Sequence, residues 1–193
     1  MRVLLIDPPT KNYYSKMGMN LMPLGLAYLA ATLDDSGHQV QVIDYQTESL
    51  EEKKINFRDF DLVGISSDTP RFNSAAKIGQ AARAQGVPVV FGGYHTTFLD
   101  HEAFQRGAAD FVVKGEGEYT LPELADKLEH GGDLSRIKGL SYKTNGSIRR
   151  NGPAELIRNL DELPLTRRDL FDLSHYMSAF RGRKMATIVT SRG

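Results

Sequence analysis

The chain has 193 residues, 24 basic against 24 acidic side chains, 40% hydrophobic residues and no cysteine. That composition supports an ordinary globular core and excludes disulfides, thiolate metal ligands and cysteine nucleophiles. Zero formal charge lacks the basic footprint of a nucleic-acid binder, no apolar run nears the roughly 20 residues a bilayer span needs, and Met1-Arg2-Val3-Leu4-Leu5-Ile6-Asp7 turns polar too early for a secretory signal. The expected setting is a soluble, cytoplasmic one, with neither nucleic acid nor membrane as partner.

Four short segments rich in Val, Ile and Leu read as strands buried on both faces: Arg2–Ile6, Gln39–Ile43, Leu62–Ser66 and Val87–Phe91. A fifth, Phe111–Val113, is shorter. Helical spacing fills the intervals. Pro23–Asp35 carries Leu24, Ala27, Tyr28 and Ala31 and stops at Gly37. Ser74–Gln85 stops at Gly86, Asp100–Arg106 at Gly107, and Tyr119–His130 at Gly131-Gly132. Thr47–Phe57 is a weaker helical candidate. Strand and helix in alternation predict right-handed crossovers and a Rossmann-like, doubly wound α/β fold with a five-stranded parallel sheet over residues 1–135.

From 136 to 184 the pattern changes to a β-hairpin and connector. Gly139–Lys143 and Ser147–Arg150 flank Thr144-Asn145-Gly146, and Asn-Gly between short strands is a strong hairpin signal. Met185–Thr190 then reads as one more β-branched strand without an obvious partner in the first domain, followed by Ser191-Arg192-Gly193.

In an open parallel sheet, ligands bind beyond the carboxyl ends of the strands. The loops there are Asp7-Pro8-Pro9, Ser66-Ser67-Asp68-Thr69, Gly92-Gly93-Tyr94-His95-Thr96-Thr97 and Lys114-Gly115-Glu116-Gly117-Glu118. Any one is an ordinary turn sequence, but four converge on one edge. The Gly92-Gly93 pair lets a ligand approach the backbone, and the Ser and Thr hydroxyls donate or accept without charge. They suit a large neutral or amide-bearing ligand better than a triphosphate. No Gly-x-x-x-x-Gly-Lys-Ser/Thr or Gly-x-Gly-x-x-Gly loop follows the first strand. The spacing of His95 and His101 fits neither one helical face nor a tight chelate, so no metal ligand is assigned. A phospho-acceptor receiver would need a second acidic residue beside Asp7 and an aspartate, not Ser66-Ser67, ending the third strand.

In order, Ile6-Asp7-Pro8-Pro9, Pro23-Leu24-Gly25-Leu26-Ala27-Tyr28, Val63-Gly64-Ile65-Ser66, Gly92-Gly93-Tyr94-His95-Thr96-Thr97 and Val113-Lys114-Gly115-Glu116-Gly117-Glu118 resemble the N-terminal cobalamin-binding domain of the cobalamin-dependent (class B) radical SAM enzymes, which include methyltransferases and the anaerobic magnesium-protoporphyrin monomethyl ester cyclase. Asn159-Leu160-Asp161-Glu162-Leu163-Pro164 is similar to that family's linker, and Thr187-Ile188-Val189-Thr190-Ser191-Arg192-Gly193 to the first strand of its radical SAM barrel, which gives residues 185–193 to an otherwise absent domain.

The resemblance implies cobalamin as the ligand and the C-terminal barrel of the same polypeptide as the partner. A full-length parent would add an iron–sulfur cluster and S-adenosylmethionine, while these residues alone catalyse nothing. By position it implies that Gly92 and Gly93 pass the cofactor's nucleotide tail. Ser66, Ser67 and Thr69 would face that tail, and His95, Thr96, Thr97 and Gly115, Glu116, Gly117 and Glu118 would form the adjoining loops. Pro8, Pro9, Leu24 and Gly25 would lie toward the corrin. Cobalamin proteins with a lower histidine ligand carry Asp-x-His-x-x-Gly after the first strand, whereas residues 7–23 here contain no histidine. The expected state is therefore base-off, with no histidine below cobalt. The alternatives are the same fold with a vestigial pocket serving as a docking module, and a receiver-like domain.

Overall fold

The computed structural model describes residues 1–9, 21–47, 55–176, 186–189 and 191. The strands are β1 (Arg2–Asp7), β2 (Gln39–Asp44), β3 (Leu62–Ser66), β4 (Val89–Gly92), β5 (Phe111–Val113), β6 (Leu140–Thr144) and β7 (Ser147–Arg150). The helices are α1 (Leu24–Asp35), α2 (Phe72–Ala84), α3 (Tyr94–Phe98), α4 (Asp100–Gln105) and α5 (Thr120–His130). All strands join one seven-stranded sheet in the order β2-β1-β3-β4-β5-β6-β7. The first five in that order run parallel, with Ile6 opposite both Ile43 and Ile65 and Ser66 opposite Gly92.

The parallel half is the doubly wound fold expected from the strand–helix alternation. The hairpin expected after it is present and extends the same sheet. β6 pairs antiparallel with β5, setting Val113 against Leu140, and β7 pairs with β6. Asn145 (φ 49) and Gly146 (φ 77) make its two-residue turn, both in the left-handed region a primed turn requires. What docks the hairpin lies outside it. The buried Asp100 carboxylate accepts two hydrogen bonds from Arg150, at 2.8 and 3.0 Å, and one from Ser141 Oγ at 3.0 Å. Nothing in the local sequence announces that long-range clamp.

Successive strand residues point to opposite faces, so the sheet has two cores. Val3, Leu5, Leu62, Val90 and Val113 meet α1 and α5 through Leu26, Ala30, Leu33, Leu121 and Leu124. Leu4, Ile6, Val63, Ile65, Val89 and Phe91 meet α2 and α4 through Ala75, Ile78, Ala82 and Phe104. Each fully buried Leu, Ile or Phe contributes about 1.5–3 kcal/mol. α1 is apolar on most of its circumference, because the connector covers the side turned from the sheet. Arg167 donates its backbone N–H to Ala27 O and its guanidinium reaches Asp34, while Phe171 and Tyr176 enter the α1 core.

Gly79 permits the closest approach of α2 to the sheet. A Cβ there would lie 2.4 Å from Ala108 O and 2.9 Å from Phe91 Cε2. Gly79→Ala is expected to destabilise the chain by about 2 kcal/mol, overpacking outweighing the gain in helix propensity. Chemical denaturation checks this, and an unchanged midpoint would refute it.

Of the remaining expectations, Thr47–Phe57 falls mostly outside the described residues, with only a single 3-10 turn at Phe57–Asp59 inside them. Residues 186–189 make no strand pairing; the rest of Met185–Thr190 lies outside the described residues.

Candidate functional site

The carboxyl ends of β1, β3, β4 and β5 lie side by side, so their loops do share one edge. Between that edge, α1 and α5 runs a slot of about 70 Å³. Its walls are apolar side chains from both sides, Leu26 and Leu29 of α1, Leu121 of α5, and Leu5, Val90 and Val113 of the sheet. Its polar mouth is formed by Ser66, Gly92, Gly93, Gly115 and Gly117. Glycine keeps the slot open. A Cβ on Gly117 would meet Leu29 Cδ2 at 3.1 Å, and one on Gly64 would meet Leu5 Cδ2 at 2.8 Å. A Cβ on Gly92 would meet only Val113 O, at 3.8 Å.

Gly93 has a different task. Its φ of +97° turns the chain from β4 into α3, and a Cβ there would lie 2.6 Å from Ser67 O. That close approach lets Ser67 N–H donate to Gly92 O (2.9 Å) and His95 N–H donate to Ser67 O (3.2 Å), sewing the β3 and β4 loops together. Thr97 adds the next stitch, donating to Gly93 O at 2.9 Å and accepting from Gly115 N–H at 3.1 Å.

The other residues singled out from sequence are spread around this slot. Pro8 is buried and Pro9 half-buried after β1, Leu24 is a core residue at the start of α1, and Gly25 is exposed with open space around it. Thr69 is exposed beside His95, on the α2 side of the edge. Thr96 is fully buried, with no hydrogen-bond partner for its hydroxyl among the described residues. Glu116 accepts the Ile157 N–H at 2.7 Å, holding the connector, and Glu118 is buried. His38 sits at the amino end of the sheet beside the Met1 amine, on the wrong edge for this site.

A second cluster went unread in the sequence. Asp7 ends β1 directly opposite Asp44 at the end of β2, and the two are 1% and 3% exposed. Arg71 donates to Asp7 at 2.6 Å and to Asp68 at 2.9 Å, and Gln46 donates to Asp7 at 2.8 Å. Tyr176, from the far end of the connector, donates its hydroxyl to Asp44 at 2.7 Å. Burial pushes the Asp7 carboxyl up to about 6, with Arg71 pulling down and Asp44 pushing further up. The Asp7–Asp44 pair was foreseeable only from strand register. Gly64 and the leucines of the slot did carry a signal, since a glycine inside a buried strand marks close approach.

The B12 binding domain family matches residues 12–125 of the chain. The chain belongs to this family. It is 38% identical over 201 residues to an uncharacterized methyltransferase of Pyrococcus horikoshii, covering 100% of this chain and 43% of that protein. Against the anaerobic magnesium-protoporphyrin IX monomethyl ester cyclase of Synechocystis sp., the identity is 30% over 203 residues, covering 100% and 40%. The chain thus spans less than half the length of these curated relatives. Among solved structures, the radical S-adenosylmethionine methyltransferase TsrM of Kitasatospora setae, with cobalamin and a [4Fe-4S] cluster bound, matches 78% of this chain and 30% of that one, at TM-score 0.65 and 26% identity. The cobalamin-dependent S-adenosylmethionine radical enzyme OxsB shares the fold at TM-score 0.70 and 20% identity, over 88% and 24%.

As a B12-binding domain the chain is a cobalamin binder, and its described residues fit that ligand: an apolar, glycine-floored slot opens onto an edge of hydroxyls and backbone amides. No helix among the described residues is long and apolar enough to cross a membrane.

Proposed function

We propose that the chain binds cobalamin base-off, with the nucleotide tail in the slot between α1, α5 and the sheet and the corrin over the carboxyl edge. In this reading residues 1–135 are the binding domain, 136–184 a hairpin and linker, and 185–193 open a radical SAM barrel in a longer cytoplasmic parent that holds an iron–sulfur cluster and uses S-adenosylmethionine. The observation that carries it is the absence of side chains at Gly64, Gly92 and Gly117, which leaves a flat aromatic base a path into an otherwise dense core.

Bound there, cobalamin would supply a cobalt centre able to take up and release a methyl group. The protein's part is positional. Leu26, Leu29 and Leu121 exclude water from the tail, and they must part, since about 70 Å³ is too small for a nucleotide base. Ser66 and the amide of Gly93 offer hydrogen bonds at the mouth, while Pro8, Pro9, Leu24 and Gly25 back the corrin side. No histidine follows β1, and His95 is held beside Thr69 and Glu102, which supports a cobalt without a histidine below it.

The connector supports the partner. Tyr176 is pinned to Asp44 at the end of β2, so the connector returns to the carboxyl edge of the sheet on which the slot opens. Titration of the chain with hydroxocobalamin, followed by gel filtration and visible spectra, tests the reading. Co-elution with a base-off spectrum is expected. Retention with a base-on spectrum would place the tail elsewhere, and separation of protein from free cobalamin would favour a vestigial pocket and docking role.

A further inference from the structure

Thr69, His95 and Glu102 come from the β3 loop, α3 and α4, and form a line of polar groups on the α2 side of the carboxyl edge. The His95 ring is 5% exposed and stacks on Phe72, with centroids 3.9 Å apart and planes 28° from parallel. Arg106 lies over the same Phe72 ring at 4.9 Å, so the stack is itself supported. His95 Nδ1 is 3.2 Å from Thr69 Oγ1. Its Nε2 is 3.5 Å from Glu102 Oε2, a separation at which charge acts although no hydrogen bond forms.

Those distances favour one tautomer of a neutral ring. A lone pair on Nε2 would be repelled by the Glu102 carboxylate, whereas an N–H there is attracted. The neutral ring therefore carries its hydrogen on Nε2, leaving Nδ1 as an acceptor. The Thr69 hydroxyl has one proton and directs it inward to Nδ1. Only its oxygen lone pairs then face the exposed edge.

We propose that His95 is a positioning residue that fixes the Thr69 hydroxyl as a hydrogen-bond acceptor toward the bound ligand, selecting an amide N–H at that point. The inference rests on the cobalamin reading, since the corrin bears primary amides around its rim. A threonine free to rotate would offer donor or acceptor alike, and would serve a phosphate oxygen as readily as an amide.

The test is a double-mutant cycle on the full chain, with hydroxocobalamin as the probe. Thr69→Val removes the hydroxyl, and His95→Phe keeps the stack on Phe72 while removing Nδ1. Each change is expected to weaken binding about fivefold, the scale of one neutral hydrogen bond. The double variant should be no weaker than either single one, because His95 acts through Thr69. Multiplied losses would overturn the proposal, as would single variants that bind like the parent.

A readout without ligand guards against a misfolded variant. In nitrogen-15 spectra of histidine-labelled parent protein, His95 should carry its proton on Nε2, with an Nδ1 resonance that moves in Thr69→Val. A proton on Nδ1 overturns the proposal whether or not cobalamin binds. Parent protein that binds no cobalamin overturns the reading beneath it, a distinct result.

Discussion

Gly92→Leu is expected to leave the chain folded and unable to retain cobalamin. The backbone at Gly92 lies outside the left-handed region, and a Cβ there meets nothing closer than Val113 O at 3.8 Å. The added side chain therefore costs the empty protein little, but it stands in the slot between Leu26, Leu29 and the ends of β4 and β5. Overpacking of about 1–3 kcal/mol against the tail corresponds to binding weaker by about 5- to 150-fold. Thermal unfolding checks the fold, and equilibrium titration with hydroxocobalamin checks the loss. Gly93→Ala makes the contrasting control. At φ +97° with a Cβ 2.6 Å from Ser67 O, it should lower stability before it alters any ligand. Binding by Gly92→Leu equal to that of the parent would remove the slot from the site.

Asp7→Asn is expected to stabilise the chain at neutral pH and to flatten its pH dependence in mild acid. The Asp7 carboxyl is raised from 3.8 to about 6 because it is buried, and Arg71 only partly offsets that. The sign follows from proton counting. Between those values the folded protein holds a proton that the unfolded chain has released, so Asp7's contribution is full below about pH 4. It is lost as pH rises through about 6. The size is about 3 kcal/mol, at about 1.4 kcal/mol per unit. Asparagine mimics the protonated acid, still accepting from Arg71 and Gln46, and Arg71 keeps Asp68 as its ion partner. Denaturation at pH 4, 6 and 8 should show the two proteins matched at the lowest pH and separated by about 2–3 kcal/mol at the highest. A constant difference across that range would mean that Asp7 is not the group responsible.

Sequence reasoning reached different depths at different places. Strands β1 to β5 were legible because doubly buried strands are continuous apolar runs, and helices α1, α2, α4 and α5 because each ends at or near glycine. Helix α3 was not, since Tyr94-His95-Thr96-Thr97 is too short to show a period and reads as loop. The loops were legible as a set, but Ser66, Gly92, Gly93, Gly115 and Gly117 line the slot while His95 and Thr69 lie on the opposite side of the sheet. Glu116 is committed to the connector rather than turned to the mouth.

By itself the sequence determined the doubly wound fold class, the position of the glycine-rich edge and the absence of a histidine after β1, because periodicity, turn chemistry and residue identity are local properties. Only the tertiary structure decided that the hairpin continues the sheet, that Asp7 faces Asp44, and that Tyr176 and Arg167 strap the connector over α1. Those contacts join residues as far as 132 positions apart, fixed by strand register and by which surface is left to cover. A buried hydrogen bond between distant groups depends on where packing brings them, and no pattern along the chain records that.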